Sequence, residues 1–86
     1  MWSLLSNHGR ALLWLAKEPD IRLRDLAARL GITERRAFDV VNDLTEAGYV
    51  IKEKEGRRNR YQLQDHVPLR DAPDHRTLGD MLSALL

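Results

Sequence analysis

Residues 23–48 read LRDLAARLGITERRAFDVVNDLTEAG, and this stretch decides the fold. Leu23, Leu26, Ala27 and Leu30 recur at the i, i+3, i+4, i+7 spacing of one helix face, which predicts a helix over residues 23–30. Gly31 and Ile32 make a tight connection. Thr33 is then a natural N-cap, since its hydroxyl can accept from the next free backbone amides. A further helix is predicted from Glu34 to about Ala47, burying Ala37, Val40, Val41, Leu44 and Ala47, and stopping at Gly48, where a left-handed residue belongs. Its outward residues are Glu34, Arg35, Arg36, Phe38, Asp39, Asn42 and Asp43. Two short helices joined at a glycine, the second capped by threonine, form the pattern of a helix-turn-helix.

Upstream, Leu12, Leu13, Leu15 and Ala16 predict a first helix from near Asn7 to about Lys17, with Ala11 and Trp14 also at helical spacing. Glu18-Pro19-Asp20 ends it, because proline disfavours the helical conformation in the residue before it. Ile21 to Leu23 is a short extended piece. Downstream, Tyr49 to Lys54 reads as a strand, Glu55 to Asn59 as a turn around Gly56, and Arg60 to Leu63 as the returning strand. The order is mainly α with a small β-hairpin: α-α-α-β-β over residues 1–64. Residues 65–76, with Pro68 and Pro73 and no periodicity, are expected to be an extended connection. Thr77 can cap a short final helix within residues 77–86, whose Leu78, Met81, Leu82 and Leu85 make an apolar stripe.

The 86 residues amount to one domain, and a domain this size buries only a modest share of its surface. With no cysteine there is neither a disulfide framework nor a cysteine-based zinc site, in keeping with a cytoplasmic setting. No apolar run is long enough to span a membrane, and the basic-then-apolar start of a signal peptide is missing. The net charge of +1 conceals an uneven distribution: residues 1–64 carry 12 Lys/Arg and 9 Asp/Glu, whereas residues 65–86 carry 2 and 4. The basic character peaks in residues 52–60, where Lys52, Lys54, Arg57, Arg58 and Arg60 oppose only Glu53 and Glu55. A local basic patch of this kind matters more to a polyanion than the global sum.

A helix pinned from behind by another, with its N-terminal end and polar face free, fits the DNA major groove, where base edges present distinguishable donors and acceptors. Arg35 and Arg36 in the first turn can reach guanine edges or phosphates, and Asn42, two turns on, can pair with adenine. A solvated helix face is the bland alternative on the helices alone. The hairpin tips the balance. LGITERRAFDVVNDLTEAGYV followed by KEKEGRRNRYQL resembles the winged helix-turn-helix transcription regulators of the MarR-like and ArsR-like kind, over about residues 8–64. The resemblance implies a homodimer on double-stranded DNA, with the third helix in the major groove and the wing on phosphates or the adjacent minor groove. The DNA-contacting set it implies is Thr33, Arg35, Arg36, Phe38 and Asn42 on the helix, with Arg57, Arg58, Asn59 and Arg60 on the wing.

The chain departs from that pattern in three places. Its second helix begins at Arg22-Leu23 without the usual Ser or Thr cap. Phe38 stands where relatives often have a polar residue. Asp39 stands where an arginine is common, and an acid near phosphates calls for a partner such as Arg35 or Arg36 one turn away. A second functional class stays open: a winged helix that binds another protein through its wing or the exposed face of the third helix, with Phe38 as anchor.

Trp2, Leu4 and Leu5 at one end and Leu78, Met81, Leu82, Leu85 and Leu86 at the other exceed what a winged core must bury. Two arrangements account for them. Elements flanking the winged core often form the dimer interface in related regulators, which assigns Trp2, Leu5, Leu78, Met81, Leu82 and Leu85 to it. The alternative folds the last helix back as a lid on its own core. No ligand-sensing domain is expected beside the winged helix, so an effector is expected at a dimer interface or as a partner protein. His8, His66 and His75 share no helical turn, no glycine-rich phosphate loop occurs, and Ser3, Ser6 and Ser83 have no base and acid in pattern. No enzyme, metal or cofactor is therefore expected.

Overall fold

The computed structural model describes residues 5–70 and 72–86. Its elements run α1 (Asn7–Lys17), α2 (Leu23–Leu30), α3 (Glu34–Glu46), β1 (Val50–Glu55), β2 (Arg58–Leu63) and α4 (Leu78–Leu85). Ser6 starts α1 by accepting from the Gly9 amide. Glu18, at φ −130° and ψ 80°, has left the helix as the residue before a proline must.

α2 ends at Gly31, whose φ of 71° lies in the left-handed region that a side chain would strain. The amides of Gly31 and Ile32 return to the carbonyls of Ala28 and Ala27, the paired bonds of a Schellman stop. α3 starts on Thr33, whose Oγ1 accepts from the Arg36 amide at 3.0 Å. At its far end the same paired bonds run from Gly48 to Thr45 and from Tyr49 to Leu44. Ala37, Val40, Val41 and Leu44 are buried as the periodicity requires, but Ala47 is exposed. Ala47 is the C-cap, where the helix is already unwinding, and the apolar closure of this end comes from Tyr49.

β1 and β2 pair antiparallel from Val50↔Leu63 to Glu55↔Arg58, which leaves only Gly56 and Arg57 in the turn. The turn is tighter than the expected Glu55–Asn59. A φ of 62° at Gly56 and a negative one at Arg57 match the II′ hairpin turn, whose twist suits flanking strands. The hairpin is fastened to the α1–α2 connection at two points. The Tyr61 amide donates to the Pro19 carbonyl and the Arg58 guanidinium to the Asp20 carbonyl, both at 2.8 Å.

Residues 65–76 are not simply extended. Pro68 bridges to Thr77, the Leu69 amide reaches the Arg76 carbonyl, and the Tyr49 hydroxyl accepts from the Arg70 amide while donating to the Pro68 carbonyl. The loop therefore folds back on itself and delivers α4 to the core. Thr77 and Asp80 form a capping box, and the next amides, of Leu78 and Gly79, are taken up by the Val67 and Asp65 carbonyls. The approach is close: a Cβ on Gly79 would sit 3.1 Å from the Asp65 Cβ. Among the described residues the largest fully buried side chains are Leu15, Leu26, Val40, Val50 and Leu78. Each of the four helices and β1 supplies one, so a single core unites residues on both sides of the hairpin.

Candidate nucleic-acid interface

α3 is held from behind by α2 and α1, and the contacts among these helices fix which of its faces is free. Arg10 of α1 donates to the carbonyls of Leu30 and Arg29, both at 3.2 Å, and so occupies the unsatisfied end of α2. Arg29 in turn pairs with Glu18 at 2.9 Å and lies over the Trp14 ring, 4.6 Å from its centroid. These contacts lock α1 to α2 across the back of the motif. None is visible in the sequence, because the partners lie 11 to 20 residues apart without a repeating pattern.

On the free face of α3, Thr33, Arg35, Arg36, Phe38 and Asn42 are all exposed, as expected. Thr33 spends one lone pair on its own helix cap. Arg35 Nε lies 3.6 Å from Asp39 Oδ1, one turn on, and its guanidinium is 5.8 Å from the Phe38 ring centroid. Asp39 thus has an ion-pair partner one turn away, although an exposed i, i+4 pair contributes only a few tenths of a kcal/mol. Asp43 does not belong with this group. Its carboxylate is 2.9 Å from His8 Nε2, which draws it toward α1. Arg36 and Asn42 carry no side-chain hydrogen bond among the described residues and are free to meet a ligand.

The wing residues divide. Arg57 stands at the turn. Arg58 is bound to the Asp20 carbonyl, and Asn59 shares a strand face with Tyr61, two residues on. Burial raises the ionisation of Tyr61 above the ordinary 10.0, against a smaller opposing pull from the polar Asn59 side chain beside it. Arg60 lies across from Glu53 in the ladder.

The expected dimer face divides as well. Leu78 and Leu82 are 0% and 8% exposed in the chain's own core, so the lid arrangement accounts for them. Leu5 and Met81 are half-buried, Leu85 and Leu86 stay 50% and 67% exposed, and Trp2 lies outside the described residues. Among the described residues, no group of three or more His, Asp or Glu side chains is placed to hold a metal, and no helix is long and apolar enough to cross a membrane.

A helix-turn-helix followed by an anchored hairpin defines the winged helix-turn-helix class. The family model for the MarR family matches residues 2–60, and the chain belongs to that family. Among solved structures, the PcaV transcriptional regulator of Streptomyces coelicolor, determined with its natural ligand, superposes with a TM-score of 0.62 at 28% identity, over 72% of this chain and 46% of that one. MepR, a transcription regulator of the Staphylococcus aureus multidrug efflux pump MepA, gives 0.61 at 17% identity over 72% and 48%. The zinc-dependent MarR family regulator AdcR, in its Zn(II)-bound state, gives 0.59 at 23% identity over 74% and 47%. The last two likenesses are of fold. The chain spans about half the length of these structures. No curated protein matches it.

Proposed function

We propose that the chain binds double-stranded DNA in a sequence-reading manner, as the winged helix-turn-helix of a cytoplasmic transcription regulator. α3 enters the major groove and the wing lies on phosphates or the adjacent minor groove. The observation that carries this reading is the division of α3: Ala37, Val40, Val41 and Leu44 are buried, while Arg35, Arg36, Phe38 and Asn42 are all left to solvent on a firmly held helix. The protein acts as a homodimer, which would place two copies of α3 in successive major grooves. Leu5, Met81, Leu85 and Leu86 supply the apolar surface for it, since Leu78 and Leu82 are already used within the chain.

The test separates base contacts from phosphate contacts. Losing a base contact weakens the selected site more than generic DNA, by roughly 1–3 kcal/mol for a bidentate pair, whereas losing a phosphate contact weakens both alike. After selection of a site from random duplexes, Arg36→Ala and Asn42→Ala should each lower the ratio of specific to generic affinity. Helix variants that hold the selected site as well as the parent would sink the major-groove assignment. Phe38→Ala, if it left DNA binding untouched and abolished a protein complex, would favour the protein-binding class instead.

A further inference from the structure

With about 3.6 residues per turn, the line along α3 opposite its buried Ala37, Val40, Val41 and Leu44 runs through Arg35, Asp39, Asn42 and Glu46. Phe38 and Arg36 flank that line on either side. Arg35 and Asn42 are candidates for base contacts, and Asp39 stands between them, four residues after one and three before the other. An acid in the middle of a face that meets a polyanion needs a reason.

The other acids of the helix have one. Glu34 opens α3, where the aligned peptide dipoles favour a negative charge. Asp43 is paired with His8 at 2.9 Å, and Glu46, in the last turn, lines a cleft beside α1 with both of them. Asp39 differs. Its ion-pair partner is Arg35, whose Nε lies 3.6 Å from Oδ1, beyond hydrogen-bonding distance. Glu18, Asp43, Asp74 and Asp80 accept side-chain or backbone hydrogen bonds, but among the described residues neither oxygen of Asp39 does. Its side chain is 46% exposed, beside Arg35 at 83%. The guanidinium is thus near enough to offset repulsion from phosphates and leaves the carboxylate's acceptors open.

A carboxylate accepts and cannot donate. In the major groove guanine and thymine offer it only acceptors, so its partners are the amino groups of cytosine and adenine. Adenine sets the N7 acceptor beside its amino group, where it repels a carboxylate, whereas cytosine presents its N4 amino group with no acceptor on its own edge. We infer that Asp39 reads a cytosine through that amino group. This rests on the DNA-binding reading above and adds to it a residue that discriminates between bases. Four residues of helix rise about 6 Å, under two base-pair steps of about 3.4 Å, so Arg35 and Asp39 reach neighbouring pairs rather than the same atom.

The test is a change of preference at one base pair. Sites are selected from random duplexes with the full chain, with Asp39→Asn, with Asp39→Ala and with Arg35→Ala, and each base of the parent's site is then varied in competition binding. The parent should prefer cytosine at one position by about tenfold. Asp39→Asn keeps the shape of the side chain and adds a donor beside an acceptor, so it should move that preference to adenine. Asp39→Ala should abolish it, and the other positions should keep their bases. Arg35→Ala should relax a different position. Thermal unfolding verifies that the variants, all at solvent-facing side chains, are folded. Preferences that are the same in the parent, Asp39→Asn and Asp39→Ala overturn the assignment. So does a loss in Asp39→Ala at the same position as in Arg35→Ala, which would make Asp39 a holder of Arg35 and not a reader. DNA binding itself survives either result. A parent that selects no site overturns both this inference and the sequence-reading function beneath it.

Discussion

Replacing Leu78 by alanine probes whether α4 belongs to the winged domain or merely follows it. The side chain is fully buried, packed in one cluster with Leu12 and Leu15 of α1 and with Tyr49 and Tyr61 toward the open end of the hairpin. Truncation removes three carbons, about 2.4 kcal/mol of transfer free energy at ~0.8 kcal/mol per methylene. A residual cavity adds to this, because the surrounding side chains come from elements held by their own bonds and collapse only in part; measured Leu→Ala changes in cores run from about 2.7 to 5.0 kcal/mol. A loss of about 3 kcal/mol is therefore expected. For a domain of this length each kcal/mol moves the midpoint by roughly 4–8 °C, so Tm should fall by about 12–24 °C. Leu85, half exposed on the same helix, is the control, and Leu85→Ala should cost under about 1 kcal/mol. Urea unfolding of both variants at several protein concentrations decides the matter. If Leu78→Ala costs less than about 1 kcal/mol, or its cost appears only at concentrations where the chain associates, α4 is not part of this core and the reasoning fails.

Gly31→Ala should destabilise the protein by about 1–2 kcal/mol, because an alanine at φ 71° carries the left-handed penalty although no atom lies within 4 Å of the new Cβ; a neutral result in urea would show that the stop relaxes. Tyr61 should titrate above 10.0 in ultraviolet difference spectra. Since its folded value is raised, its contribution to stability is fully present below pH 10.0 and is lost as pH rises through the folded value, and Tyr61→Phe should remove that part of the alkaline loss.

The local elements were legible because their signals are local. Helical spacing, Pro19 and Gly31 set the bounds of α1 and α2, and Thr33 and Thr77 cap the helices expected of them. The hairpin is legible but its turn reads too long, since a composition rich in Arg and Asn resembles a loop until the ladder pairs Lys54 with Asn59 and Glu55 with Arg58. What the sequence left open depends on distant partners. An apolar stripe on α4 reads the same whether it faces its own core or a second copy, and only the placement of Leu78 and Leu82 separates the two. Asp43 looked like part of the DNA face until His8, 35 residues earlier, drew it aside. Likewise the arginines at the wing tip dominate the composition, yet only the ladder shows that Arg58 stands opposite Glu55 and Arg60 opposite Glu53, and only the fold brings Arg58 to the Asp20 carbonyl.

The double fastening of the hairpin to Pro19 and Asp20 bears on the order of folding. Its two-residue turn closes almost no loop, so the strands can pair within microseconds on their own. Docking them brings together residues 38 apart, from Asp20 to Arg58. At roughly 0.6 kcal/mol per doubling of loop length, that closure costs about 2 kcal/mol more chain entropy than closing a four-residue turn. The docking bonds are then among the last native contacts to form and among the first to open. Amide hydrogen exchange would register this as a Tyr61 amide less protected than its neighbours within the ladder, and the wing would sample detached orientations while the three helices beneath it stay intact.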